Sequence, residues 1–201
     1  SAGSDKPPAR ETVSMGAAEE DTTVLVVDDE TAVADAYTAQ LQRDYDVRTA
    51  YGGEEALDAV DSSVDVVLLD RRMPAISGDE VLDEIRERDL DCRVIMVTAV
   101  DPDFDIVDMP FEDYLQKPVD RDDLHTAIQN QLAASEYDEQ VDEFLELNTK
   151  IGLLEEEKPT QELEQSEDVR EIKERAEDLK EDLDETVMEF DEPSEAFQNL
   201  V

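Results

Sequence analysis

Polar residues that could take part in a reaction follow several apolar runs in this sequence. These residues are Asp28, Asp29, Asp70, Thr98 and Lys117. Asp70 is the most conspicuous, because it ends the apolar run 64–69 and Pro74 breaks the chain shortly after it. A β-branched run of this kind predicts a buried parallel strand, with Asp70 at the carboxyl edge of the sheet. Open α/β sheets hold their chemistry at that edge.

Three carboxylates in one cleft repel one another, so a positive group must hold them together. Mg²⁺ suits such a site, because it binds through one or two carboxylates and a phosphate and keeps several waters. Lys117 adds a second positive charge, and Thr98 adds a neutral donor. A carboxylate nucleophile, a metal ion and a lysine are the parts of phosphoryl transfer onto aspartate. Asp70 is the candidate nucleophile.

Five predicted strands must position these residues. They cover residues 22–27, 45–50, 64–70, 93–99 and 113–118, and helical patterns with inward apolar residues separate most of them. Alternating strands and helices predict βαβ units, a parallel sheet and helices on both faces. Right-handed crossovers then bring all the strand carboxyl ends to one edge. The segment between Thr98 and Lys117 contains Pro102 and Pro110, so any helix there should be short.

The two ends of the chain differ from this α/β region. Residues 1–21 are small and polar without a hydrophobic period, which predicts a disordered leader. Residues 22–134 form the predicted α/β domain, and residues 135–201 form an acidic two-helix region. In that region apolar residues recur three or four positions apart, which is typical of amphipathic helices.

The arrangement of the tail helices stays open at the level of sequence. One helix could run over residues 121–157, about 55 Å at 1.5 Å per residue, or it could break near Ala133-Ala134-Ser135. Pro159 ends it, and a second helix carries an a/d-like stripe from Ile172 to Phe190. The two helices could form a hairpin within one chain, or a coiled coil that joins two chains in a homodimer.

The charge of the chain limits the functions that it can have. With 58 acidic and 17 basic residues the net charge is -41, and the acids occur in every segment. This composition predicts a protein from a high-salt cytoplasm, where screening lengths are short. It argues against direct DNA binding, since no basic stripe is present to neutralise phosphates. No apolar run is long enough to span a membrane, and the single cysteine, Cys92, excludes a disulfide framework.

Four motifs give the α/β region a resemblance to a known family. They are Val27-Asp28-Asp29-Glu30, Leu69-Asp70-Arg71-Arg72-Met73-Pro74 with Gly78, Val97-Thr98-Ala99, and Tyr114-Leu115-Gln116-Lys117-Pro118. In this order and spacing they resemble the motifs of response-regulator receiver domains from two-component signalling. The resemblance covers about residues 22–133. It implies a flavodoxin-like, doubly wound sheet of five strands in the order 2-1-3-4-5.

The resemblance also implies roles for individual residues. Asp70 would accept a phosphoryl group from a sensor histidine kinase, and Asp29, Asp70 and the backbone carbonyl of Arg72 would bind Mg²⁺. Asp28 would assist through a water molecule, and Lys117 would bind the phosphoryl group.

Two further implications concern Thr98, Tyr114 and the bond before Pro118. Thr98 and Tyr114 match the family's switch pair, in which the hydroxyl moves to the phosphate and the aromatic ring turns inward. The Lys117-Pro118 peptide bond is expected to be cis. The segment between Thr98 and Lys117 is shorter than is usual in the family. This difference puts the family's usual mode of dimerisation in doubt.

The tail resembles a second family through its acidic two-helix pattern and the stretch 154–158, Leu-Glu-Glu-Glu-Lys. This family is the HalX domain, a helical module found after receivers in haloarchaeal proteins. Together the two resemblances imply a response regulator that is phosphorylated on Asp70 and switches the output of its helical tail. It would catalyse only its own phosphotransfer and autodephosphorylation.

Four other interpretations compete with this one. The acids could merely cap helices or turns at strand ends, or the receiver fold could be kept without phosphorylation. An aspartyl-nucleophile phosphatase has a second acid two residues after the nucleophile, but this chain has Arg72 there. The fourth alternative is a phosphorylation-gated acidic scaffold with no transcriptional role.

Overall fold

The computed structural model describes residues 21–135 and 139–188. Its first part contains a five-stranded sheet in the order β2-β1-β3-β4-β5 with every neighbouring pair parallel. The strands are β1 (Thr23–Val27), β2 (Asp46–Ala50), β3 (Val66–Leu69), β4 (Arg93–Thr98) and β5 (Asp113–Gln116). The predicted α/β fold and the strand order 2-1-3-4-5 are confirmed.

Four helices cover the two faces of this sheet. They are α1 (Thr31–Leu41), α2 (Gly53–Ala59), α3 (Gly78–Glu87) and α4 (Arg121–Ala134). Successive strand residues point to opposite faces: Val24 and Val26 pack with α1 and α4, whereas Leu25 and Val27 pack with α2 and α3. Because both faces are covered, β1, β3 and β4 are buried along their whole length.

A 3₁₀ helix, Phe104–Asp108, lies between β4 and β5. Pro102 and Pro110 flank it, which is consistent with the short helix expected there. The Asp103 carboxylate accepts a hydrogen bond from the Phe104 amide at 2.7 Å and caps its first turn. Its apolar side chain Ile106 is fully buried.

The tail begins with a break. Helix α4 ends at Ala134 with Ser135 as its cap, and α5 spans Glu139–Glu157. Of the two alternatives for this segment, the structure thus has separate helices. The second predicted helix is also divided, into α6 (Thr160–Gln165) and α7 (Glu167–Met188). Ser166 is extended there, and its hydroxyl accepts a hydrogen bond from the Val169 amide at 3.3 Å to start α7.

Helices α5 to α7, residues 139–188, form what we call the tail hairpin. Phe144 of α5 packs against Leu179 and Leu183 of α7 within the same chain. Of the two arrangements left open by the sequence, the described residues therefore form the intramolecular hairpin. None of the described helices is both long enough and apolar enough to cross a membrane.

The tail hairpin also packs on the first part of the molecule. Leu154, Leu163, Val169 and Ile172 join the same apolar cluster as residues of the 3₁₀ helix and of the sheet. The hairpin thus covers the face of the molecule on which the 3₁₀ helix lies. The predicted leader falls almost entirely on residues outside those described, and so does Phe190 at the end of the predicted tail stripe.

Candidate functional site

Strand register brings the predicted acids together. Val27, the last residue of β1, pairs with Leu69, the last residue of β3, so that the next residues, Asp28 and Asp70, emerge side by side. One carboxylate oxygen from each of Asp28, Asp29 and Asp70 lies within 4.8 Å of the others. Asp28 and Asp70 are buried, and Asp29 is partly exposed. These three acids therefore form one cluster at the carboxyl edge of the sheet.

Lys117 lies at the same edge, directly after β5. Its Nζ is 2.6 Å from Oδ2 of Asp28 and 3.5 Å from Oδ2 of Asp70. The Lys117 amide donates to the carbonyl of Thr98 at 2.8 Å, which fixes the chain where the lysine emerges. The Lys117-Pro118 bond is cis, as expected. One cation therefore faces two of the three carboxylates.

The electrostatics reflect this crowding. Burial raises the pKa of the Asp70 carboxyl above its ordinary value, Lys117 opposes the rise, and the charges of Asp28 and Asp29 add to it. Burial by itself would lower the pKa of Lys117, but its hydrogen bond to Asp28 and the charges of Asp70 and Asp28 raise it above the usual value. The cluster thus favours a charged lysine and leaves negative charge only partly compensated.

The donor set fits a hard divalent cation. All three groups of the cluster offer carboxylate oxygens, the ligands that Mg²⁺ prefers. Both oxygens of Asp28 are already engaged, one by Lys117 and the other by the Glu30 amide at 2.9 Å. Asp29 and Asp70 are therefore better placed than Asp28 to bind a cation directly. The assignment of the Arg72 carbonyl to this cation stays a prediction; the Arg72 side chain is exposed in the loop after β3.

Gly78 allows the loop after Asp70 to close tightly. Its amide donates to the Arg71 carbonyl at 2.8 Å. A Cβ atom at this position would lie 2.0 Å from the Asp70 carbonyl oxygen and 2.8 Å from the Arg71 Cα atom. Since those atoms belong to the backbone, a side chain at position 78 would displace the phosphoacceptor candidate itself.

Hydrogen bonds to the backbone of Val100 link the side chains of Thr98 and Tyr114. The Thr98 hydroxyl accepts a hydrogen bond from the Val100 amide at 3.2 Å, and the Tyr114 hydroxyl donates to the Val100 carbonyl at 2.6 Å. Both side chains are buried. The structure thus brings together the two residues of the predicted switch pair, with the tyrosine ring on the inside.

Arg71 was overlooked at the level of sequence. Its guanidinium is only 8% exposed and contacts Asp79 at 3.0 Å through Nε. Its Nη2 also pairs with Asp105 in the 3₁₀ helix. Asp105 is 34 residues away, and no local spacing links the two. The only available signal was an arginine beside a candidate nucleophile in a chain poor in basic residues.

Two family models match the chain. The model described as the response regulator receiver domain matches residues 24–129. The model described as the HalX domain matches residues 133–201. The first match contains the acidic cluster and all of the sheet except Thr23, and the second contains the tail hairpin.

Individual proteins show the same similarity. A Haloferax volcanii protein named "Putative transcriptional regulator" is 46% identical over 170 residues, which are 84% of this chain and 29% of that protein. The alkaline phosphatase synthesis transcriptional regulatory protein PhoP of Bacillus subtilis is 35% identical over 118 residues, 56% of this chain and 49% of PhoP. The chain therefore spans less than half the length of either relative.

A solved structure agrees with these matches. The crystal structure of a response regulator receiver domain protein from Clostridium thermocellum has a TM-score of 0.51 and 31% identity, covering 57% of this chain and 97% of that one. The similarity in fold thus extends over nearly all of the solved receiver domain.

Proposed function

Because the chain belongs to the response regulator receiver family and carries a HalX domain after the receiver, we propose that it accepts a phosphoryl group on Asp70 from a sensor histidine kinase. The observation that supports this proposal best is the cluster of three carboxylates facing Lys117 at the sheet edge. Strand ends that merely cap helices would not require a lysine directed at two of the acids.

In the proposed reaction a carboxylate oxygen of Asp70 attacks the phosphorus of a phosphohistidine. A P–O bond forms, the P–N bond breaks, and the imidazole nitrogen leaves with the electron pair and takes up a proton. Hydrolysis later reverses the modification, when a water oxygen attacks phosphorus and Asp70 leaves as a carboxylate. The chain would therefore catalyse only its own phosphotransfer and dephosphorylation.

The residues of the site divide this work. Asp29, Asp70 and the Arg72 carbonyl would hold Mg²⁺, which when bound neutralises charge on the phosphoryl oxygens. Lys117 already lies between Asp28 and Asp70 and would bind a phosphoryl oxygen as charge builds up there. Asp28 would hold a water molecule in position and keep Lys117 directed at the site.

Phosphorylation would then shift the conformational equilibrium of the receiver. A phosphoryl group adds about -1.5 to -2 charges at Asp70. The Thr98 hydroxyl would leave the Val100 amide for a phosphoryl oxygen, and the turn that holds Tyr114 would move with it. The tail hairpin packs on the adjacent 3₁₀ helix and is the element we propose to read this change.

The alternative output is a phosphorylation-gated scaffold rather than transcription. The acidic tail hairpin supports it, because a strongly negative surface is repelled by DNA phosphates. The names of the two relatives support the transcriptional output instead. Binding of the phosphorylated chain to DNA at molar salt distinguishes the two outputs.

Labelling by a small phosphodonor tests the proposal directly. The chain is incubated with acetyl phosphate and Mg²⁺ in molar KCl, and its intact mass is measured. We expect one added phosphoryl group in the wild type and none in Asp70→Asn. Asp58→Asn is the matched control, since Asp58 is an exposed acid on α2 and should label normally. Persistent labelling of Asp70→Asn would place the modification elsewhere and refute the assignment.

A further inference from the structure

We propose that Arg71 is a positioning residue that transmits the state of Asp70 to the 3₁₀ helix and, through that helix, to the tail hairpin. This inference rests on the proposed function, because it names how the phosphoacceptor site would reach its output element. It assigns to Arg71 no contact with the phosphoryl group.

The side chain of Arg71 ties three separate elements together. Its guanidinium pairs with Asp79 at the start of α3 and with Asp105 in the 3₁₀ helix. Its charge also acts on the Tyr114 hydroxyl on β5 and opposes the rise in the pKa of that hydroxyl that burial causes. A planar guanidinium with five donors can hold several partners at fixed angles, which an ammonium group cannot do. The position of the 3₁₀ helix is thus tied to the residue that follows Asp70.

The Tyr114 hydroxyl links Arg71 to the predicted switch. This hydroxyl donates to the Val100 carbonyl at 2.6 Å, and the Val100 amide donates to the Thr98 hydroxyl at 3.2 Å. A move of Thr98 toward a phosphoryl group breaks the second bond and displaces Val100. Tyr114 then loses its fixed position beside the guanidinium of Arg71, and the ion pair of Arg71 with Asp105 is disturbed in turn.

The 3₁₀ helix in turn holds the tail hairpin. Lys158 lies 3.0 Å from the Asp103 carboxylate and 5.2 Å above the ring of Phe104. Lys150 donates to the Val107 carbonyl at 3.2 Å. These contacts lie on either side of Asp105, so a shift of the short helix changes both attachments of the hairpin.

The 3₁₀ helix is suited to this role because its own hydrogen bonds give it little stability, and its position depends on its contacts with the rest of the molecule. It has five residues, and helices of this type have poor hydrogen-bond geometry and little stability of their own. Arg71 fixes it from the receiver side, and the two lysines fix it from the hairpin side. Loss of the Arg71 link therefore leaves the helix packed through Ile106 and attached to the hairpin, but removes its polar link to the residue that follows Asp70.

Two acid-to-amide substitutions in the same short helix test the inference in the full chain. Asp105→Asn removes a partner of Arg71, whereas Asp108→Asn makes the same chemical change at an exposed acid that forms no ion pair among the described residues. Each protein is labelled with acetyl phosphate and Mg²⁺ in molar KCl. Hydrogen exchange of residues 139–157 is then compared with and without the phosphoryl group.

We expect the wild type and Asp108→Asn to show the same change in exchange on labelling, and Asp105→Asn to lose at least half of it while labelling to the same extent. Arg71→Met should lose the whole change, and Arg71→Lys should restore part of it. An undiminished response in Asp105→Asn overturns the inference and leaves the proposed function intact. A wild type that takes up no phosphoryl group overturns the proposed function itself.

Discussion

Lys117 and Lys150 are both largely withdrawn from solvent, yet their surroundings differ. Lys117 faces two carboxylates at the sheet edge, at 2.6 and 3.5 Å. Lys150, in the tail hairpin, contacts Glu146 at 3.0 Å, a backbone carbonyl and the face of the Phe111 ring at 5.3 Å. The carboxylates around Lys117 carry more negative charge than its single positive charge neutralises. Lys150 instead helps to pack the tail hairpin against the receiver.

This difference distinguishes a site that can carry out a reaction, at the sheet edge, from a contact that attaches the tail hairpin. At the sheet edge, burial and repulsion raise the pKa of Asp70, so an added cation or a change in charge there has a large effect. At the hairpin contact each polar group has a partner and apolar side chains surround it. Substitutions at the edge should therefore alter the reaction, and substitutions at the contact should alter the docking of the hairpin.

Two glycines provide the largest contrast between the regions. Gly78→Ala should cost about 3 kcal/mol of stability, because the new methyl group meets backbone atoms of Asp70 and Arg71. It should also abolish labelling by acetyl phosphate. Gly152→Ala in α5 meets nothing within 4 Å and should stabilise the protein by about 1 kcal/mol. Urea denaturation in molar KCl measures both, and equal midpoints for the two variants would contradict the contrast.

The two lysines sharpen the same comparison. Lys117→Met should slow phosphorylation about 10²-fold, the usual cost of removing one preorganised donor from a reacting site. Lys150→Met keeps the volume but removes a donor to the Val107 carbonyl, so it should loosen the hairpin and leave the rate within about twofold of the wild type. Labelling rates by intact mass decide between these outcomes. Equal slowing in both variants would show that the regions are not separable.

A third substitution concerns the first turn of the hairpin. Arg93 donates to Gln131 of α4 at 2.9 Å and to Asp142 of α5 at 2.5 and 2.6 Å. Arg93→Met should cost about 2 kcal/mol, because charge-assisted hydrogen bonds are lost and Gln131 keeps no partner there. Arg121→Met removes an exposed ion pair to Asp44 and should cost about 0.5 kcal/mol at most. Thermal unfolding of the two variants gives the comparison.

The smallest expected effect is the titration of one proton at Glu112. Burial raises the pKa of its carboxyl to about 7, Arg86 opposes the rise, and Glu146 of the hairpin adds to it. Because the ordinary value is 4.5, the folded protein binds an extra proton between these limits. This contribution to stability is therefore present at the acid end of the window and is lost as the pH rises through about 7.

Carbon-13 NMR of the Glu112 carboxyl carbon measures this titration directly. We expect a midpoint near neutral pH in the wild type and a lower midpoint in a chain with Glu146→Gln, since one source of repulsion is removed. Glu177→Gln, a change of equal charge on α7, serves as the control. A wild-type midpoint below 5 would contradict the assignment.

The sheet-edge site was predictable from sequence for a simple reason. Asp28, Asp70 and Lys117 each follow a strand, and parallel topology brings strand ends to one edge. No local sequence pattern predicts how the tail hairpin attaches to the receiver. Lys150 meets Val107 across 43 residues and Arg93 meets Asp142 across 49, and both contacts depend on how the tail docks.

The ends of the tail helices were also difficult to predict from the sequence. The pattern of apolar residues three or four apart continues across residue 135, so the sequence left open both a continuous helix and a break near Ala133-Ala134-Ser135. Ser166, likewise, divides the second tail helix by means of one side-chain cap rather than a proline. Capping by a single hydroxyl is weak compared with the burial of a stripe, so the periodicity alone favoured a longer second tail helix than the structure has.

The shared apolar cluster also bears on how the protein is made. The receiver emerges from the ribosome before Leu154, Leu163 and Ile172 do, although these side chains complete the core around the 3₁₀ helix. A newly made receiver therefore carries an uncovered apolar face until most of the tail has emerged. The nascent chain is exposed to aggregation through this face during that interval, and docking of the hairpin ends the exposure.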